Sequence, residues 1–287
     1  MDSLTILHRY KPIILITVFI LLASCTSNVT KQGTVGVQRS QMMLVSESEM
    51  EQGANQAYAQ ILAKAKKAHK LNNNPAELKR LRAIADRLIP QTKIFRDDAP
   101  KWNWQVNLIQ SDELNAWCMP GGKIAFYSAI IDKLHLTDDE IAAIMGHEIS
   151  HALREHGRER ASEAMVGQAG LTALSLITGM QGPALDASNM VMQATFILPN
   201  SRTHEQEADR MGVELAARAG YDPYAAVRVW EKMSKISKDT PLEILSTHPS
   251  NASRIEDLKH YAKLVEPLNC LQESEYQERF HGTLLGF

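Results

Sequence analysis

His147-Glu148-Ile149-Ser150-His151 constrains this chain more than any other run in it. On a helix, residues four apart share a face, so the two imidazoles can close on one Zn²⁺. Glu148 then stands beside the ion, where it can deprotonate a bound water. The flanks support a helix. Thr137-Asp138-Asp139-Glu140 has the spacing of a capping box, and Ile141, Ile144, Met145 and Ile149 recur at helical intervals. A buried His-Glu-His group without a metal would need another partner for each polar atom. These residues predict one Zn²⁺ per chain.

Two histidines do not complete such a site, because a catalytic zinc takes three protein ligands and a water. His156 follows His147 by nine positions, which is half a turn out of phase on a continuous helix, so it is expected at the surface of the helix end. Ser201 to Asp209 is the better source. Glu205 and Asp209 lie four apart, with Glu205 placed to ligate and Asp209 to hold the second ring nitrogen of a metal-bound histidine. Glu207 is expected to be a solvated or salt-bridged carboxylate and His204 to be a flanking residue. Arg202 is a further candidate for the site.

The chain resembles the M48 family of zinc metallopeptidases, in the gluzincin class. The resemblance rests on Gly146 to Ala152 together with Glu205-Gln206-Glu207-Ala208-Asp209. Asn115-Ala116-Trp117 before Gly121-Gly122-Lys123-Ile124, and His248-Pro249 with Arg254-Ile255, also fit, and the match runs from about Leu78 to Tyr261. It implies an α+β, mainly helical zincin-like domain with a small antiparallel sheet beside the motif helix. It also implies an endopeptidase in which Glu148 is the catalytic base and His147, His151 and Glu205 are the ligands. The substrates it implies are misfolded or stalled cell-envelope proteins. Asn115, Ala116 and Trp117 are the candidate substrate-binding edge, although an interior hairpin with Trp117 in the core reads equally well. His248 has three readings: a stabiliser of the oxyanion, a fourth ligand in a resting state, or a structural residue. A binding factor that rarely cleaves, or a zinc hydrolase of other bonds, are the competing functions.

His8, Arg9 and Lys11 precede the apolar run Ile13 to Leu22, and Leu22-Ala23-Ser24-Cys25 ends it. This looks like a bacterial lipobox and predicts a lipoprotein signal over residues 1–24 with a lipid anchor on Cys25, rather than a plain signal peptide or a single anchor helix. With Thr26 and not Asp after the cysteine, the resemblance to Gram-negative lipoproteins implies the periplasmic face of the outer membrane. Residues 25–45 then read as a flexible tether and 46–287 as the peptidase domain. The net charge of −2 offers no footprint for nucleic acid. Cys118 and Cys270 are either bridged or both free.

Helices are expected over Ser46 to Lys70 and from Pro75 to Leu88. Strands are expected between Trp102 and Tyr127, with Pro120-Gly121-Gly122 as a turn. The uncharged stretch Ala164 to Met180 is expected to be a buried helix rather than a membrane-dipping one, and Gln181 to Asn200 a lid. No repeat follows the catalytic region.

Overall fold

A computed structural model describes residues 26–178, 186–236, 244–248 and 253–281, with only the backbone described at 168–178, 245 and 270–281. The first described segment is not a tether. Short strands β1 (Thr26–Ser27) and β2 (Gln41–Met42) pair antiparallel, and Val35, Val37 and Val45 are buried. Thr34 and Val35 donate their backbone N–H to the Glu214 carboxylate, and Leu44 and Val45 donate theirs to Ser162 Oγ. Its polar composition concealed this packing, because the groups that satisfy its backbone come from residues more than a hundred positions away.

Helix α1 (Glu47–Lys67) starts from the capping box of Ser46 and Glu49, and α2 (Pro75–Leu88) starts from Asn74 with Pro75 in its first turn. Strands β3 (Gln105–Ile109), β4 (Ala116–Met119) and β5 (Lys123–Tyr127) form a sheet in the order β3-β5-β4. It is mixed rather than wholly antiparallel. β4 and β5 make a hairpin about Pro120 to Gly122, whereas β3 runs parallel to β5. Side chains from both faces are buried. Val106, Leu108, Ile124 and Phe126 join the larger core, while Trp117, Met119 and Ala125 join a second core beneath α1. Even Asn107 is buried, with its amide donating to Tyr58 Oη. The alternation in the sequence therefore marks two packed faces, not one wet one.

After α3 (Ser128–Leu134) comes α4 (Asp138–Leu153), the motif helix. Thr137 Oγ1 accepts from Glu140 N, and the Glu140 carboxylate accepts from Thr137 N. Next are α5 (His156–Thr178), α6 (Ala187–Phe196), α7 (Arg202–Arg218), α8 (Ala225–Ile236), the single turn α9 (Ile244–Thr247) and α10 (Arg254–His281). Glu163 to Gly167 are all exposed, so the start of the uncharged stretch is not the buried helix expected. The preceding turn of α5, with Ala161 and Ser162, is covered. No helix of the described residues is long and apolar enough to cross a membrane. Half of the expected lid is α6, packed into the second core through Val191 and against Gly53 of α1, with Ala194 also buried. Residues 181–185 lie outside the described residues.

Helices α4 and α7 cross at two glycines. A Cβ on Gly146 would sit 2.8 Å from the Gly212 carbonyl oxygen, and one on Gly212 only 2.7 Å from the His147 nitrogen. The backbones touch because neither position carries a side chain. That contact brings one helix turn bearing His147 against another bearing Glu205 and Asp209.

Candidate metal centre

Four side chains from three segments meet at the α4/α7 crossing. Nitrogens of His147, His151 and His248 and a carboxylate oxygen of Glu205 all lie within 4.8 Å of one another. His147 Nε2 is 3.0 Å from His151 Nε2 and 3.6 Å from Glu205 Oε2, and His151 Nε2 is 3.4 Å from Glu205 Oε1. His248 Nδ1 is 3.3 Å from His147 Nε2 and 3.0 Å from Glu205 Oε1. Donors on a tetrahedron with bonds of about 2.0–2.1 Å stand about 3.3 Å apart. The observed spacings bracket that value.

Proton placement makes the same point. The Asp209 carboxylate lies 3.0 Å from His147 Nδ1 and can only accept, so Nδ1 carries the proton and Nε2 a lone pair. His151 is treated likewise at one remove. Glu207 accepts from His156 Nε2 at 2.9 Å, which leaves His156 Nδ1 as an acceptor for His151 Nδ1–H at 2.8 Å. Both inward nitrogens then aim lone pairs at each other across 3.0 Å, an arrangement a shared cation stabilises. Burial holds His151 and His156 well below the usual histidine range, consistent with neutral rings. Zinc suits this set of three imidazoles and one carboxylate.

Each ligand is anchored from behind. Arg254, stacked on the Trp230 ring at 3.7 Å, reaches Glu205 at 2.8 Å and Asp209 at 2.7 Å. Burial would raise Glu205, but His248 and His151 outweigh it and hold the carboxylate well below its usual range. For His248, burial would lower the ring and the Glu205 and Glu148 carboxylates overcome that, so it sits above the usual value. Asn200 fixes the approach to His248 by donating from its backbone and side chain to the Thr247 carbonyl. Glu148 is fully buried, which pushes its carboxyl up. Its Oε1 has no hydrogen-bond partner and lies 3.7 Å from His248 Nε2.

The structure thus brings together His147, His151, Glu205, Glu148, Asp209 and His248. Arg202 stays outside, exposed on the first turn of α7. One expectation is corrected. His156 is buried rather than superficial, because the helix does not continue through it. Glu155 turns left-handed at φ 52°, and α5 begins at His156 with its ring returned to His151. Of the two readings of Glu207 the salt-bridged one holds, with the carboxylate buried and receiving Arg154, Arg39 and His156. His204 caps α7 with Ser201 and donates from Nε2 to Glu159. The extra histidine five positions after His151 was the signal available for this layer; its acidic partners had none.

Ala116 and Trp117 lie on β4, an edge strand with no second described strand partner, while Asn115 precedes it. The Trp117 side chain belongs to the core, edge-on to Tyr58 and Phe196. Trp117, Cys118 and Pro120 line one wall of a cleft whose other wall carries Glu148, His151 and His248. Cys118 is free and buried, and the Cys270 side chain lies outside the described residues.

Comparison with known proteins agrees with this geometry. Residues 75–262 match the model of peptidase family M48. The mitochondrial metalloendopeptidase OMA1 of Saccharomyces cerevisiae is 30% identical over 193 residues, covering 64% of this chain and 54% of that one. OMA1 of Arabidopsis thaliana is 35% identical over 60% of this chain and 33% of its own. The β-barrel assembly-enhancing protease of Escherichia coli O157:H7 is 28% identical over 71% of this chain and 42% of its own. The chain spans about half the length of these relatives or less. With the family match covering the helix crossing and every residue of the cluster, the chain belongs to peptidase family M48.

Proposed function

We propose that this protein is a zinc-dependent endopeptidase that cleaves misfolded or stalled proteins of the cell envelope. The observation that carries the reading is the convergence of two fixed imidazole lone pairs and the Glu205 carboxylate, with the unpartnered Glu148 Oε1 beside them. Bound zinc supplies Lewis acidity toward a water and a peptide carbonyl. His147, His151 and Glu205 would hold the ion, and Asp209 fixes the His147 ring. Glu148 takes a proton from the attacking water and returns it to the leaving amine. His248, whose Nδ1 faces Glu205 and His147, would be placed to act as a further donor to the ion at rest.

The substrate lies along β4. Tyr127 N donates to Asn115 O, so by antiparallel alternation Trp117 pairs inward with Ala125. Ala116 and Cys118 therefore turn their backbone groups away from β5; Ala116 is buried with its N–H held by Asn115 Oδ1, so an extended, unfolded segment would add as a strand from Cys118. Trp117 serves as the buried footing of that edge.

The export signal and Cys25 lie outside the described residues. Lipid anchoring at the periplasmic face of the outer membrane rests on the sequence pattern that ends at Cys25. The OMA1 relatives are mitochondrial proteases. Casein cleavage abolished by 1,10-phenanthroline and restored by Zn²⁺ tests the activity, and persistent cleavage in chelator contradicts it. Loss of labelled-lipid incorporation in Cys25→Ser tests the anchor; a parent that takes up no label contradicts it.

A further inference from the structure

Behind His151 lies a buried polar layer that the proposed chemistry does not use. His147 is backed directly by a carboxylate, whereas His151 is backed by a second imidazole, and the carboxylate comes only one step later. The order of donors is fixed. His151 Nδ1–H donates to His156 Nδ1, and His156 Nε2–H donates to Glu207 Oε2. Glu207 is in turn clamped by two guanidinium groups. Arg154, fully buried, reaches it at 3.1 Å, and Arg39 reaches it at 3.1 Å through Nε.

Arg39 does not belong to the helices of the site. It sits on the N-terminal segment between β1 and β2, and it also grips Glu159 with both terminal nitrogens, at 2.5 and 2.8 Å. Gln41 of the same segment donates to Glu159 and to the Arg154 carbonyl. Asn28 and Thr30 accept from Arg154. The segment thus closes the back of the metal centre with named, directional bonds.

The geometry points to His156, Glu207 and Arg39 as positioning residues for the metal ligand His151, which makes the N-terminal segment an integral part of the metal centre. The inference rests on the reading that His151 ligates the ion. A ligand imidazole whose distal N–H is held is fixed in tautomer and orientation, and losing such support costs about 10–100-fold in metal affinity. Arg39 acts three hydrogen bonds away, through Glu207 and His156, and its double contact needs the planar fork that lysine lacks.

The test uses the full chain with zinc and cobalt(II) as probes. Arg39→Met, Arg39→Lys and Glu207→Gln are each expected to weaken zinc about tenfold or more in chelator competition and to shift the cobalt absorption bands. Lys31→Met breaks only the exposed pair with Asp97 on the same segment and is expected to match the parent in both readouts. Folded Arg39→Met and Arg39→Lys with zinc affinity within twofold of the parent and an unchanged cobalt spectrum would overturn the inference. Equal weakening by Lys31→Met would also overturn it, since anchorage of the segment alone would then suffice. His151→Ala separates the two levels: if it keeps one tight zinc, the ligand assignment itself fails. If it loses zinc while the Arg39 variants do not, only the positioning role fails.

Discussion

Gly146 and Gly212 are in backbone contact, and that contact sets the distance between His147 and Glu205. A methyl group on Gly212 would lie 2.7 Å from the His147 nitrogen, with backbone on both sides that cannot rotate away. Gly212→Ala is therefore expected to force α4 and α7 apart and to cost about 1–3 kcal/mol. Thermal unfolding and bound zinc measured together check this, and both should fall. Parental stability with full zinc content would show that the crossing has slack.

Glu148→Gln keeps the shape of the side chain and removes its capacity to take a proton. Zinc content should stay at the parental level while cleavage falls about 10²–10⁴-fold, the usual contribution of a general base. Metal analysis alongside casein hydrolysis separates the two effects. Unchanged turnover would assign the base elsewhere.

Arg254 compensates two buried carboxylates, Glu205 and Asp209, and lies flat on Trp230. Arg254→Ala leaves both charges facing each other in the core. Removing one partner of a buried ion pair costs about 3–5 kcal/mol. Urea unfolding should show a loss of that order, accompanied by weaker zinc binding.

Glu159 carries a pH signature. Burial alone would raise its carboxyl, but hydrogen bonds from Arg39, His204 and Gln41 outweigh this and hold it far below the ordinary carboxylate value. A depressed folded value gives stability that is complete above the unfolded value, near pH 4.5, and lost as pH falls through the folded one. In metal-free protein, the fall in thermal midpoint below about pH 4.5 should be shallower in Glu159→Gln than in the parent. Parallel acid profiles would show that the network does not hold the charge.

The sequence was informative where periodicity and motif spacing coincide. Thr137 with Glu140 marked the start of the motif helix, Pro75 to Leu88 marked α2, and His147, His151, Glu205 and Asp209 were found from four-residue spacings that a helix turns into one face. It was misleading where a local break or a distant partner decided the outcome. Angular phase placed His156 on the surface because it assumes an unbroken helix, and the left-handed Glu155 breaks it. Arg39 and Glu159 drew no expectation and Glu207 only that of a solvated or salt-bridged carboxylate, since nothing in the neighbouring residues shows that the three will be packed against one another. β3 was recognisable as a strand, but its parallel pairing with β5 depends on the crossover through β4 and not on its own residues.

Anomalous diffraction at the zinc edge from zinc-loaded protein tests the central claim most directly. The account predicts one ion per chain among His147 Nε2, His151 Nε2 and Glu205, absent in His151→Ala. Anomalous density elsewhere, or none at full zinc loading, would contradict it.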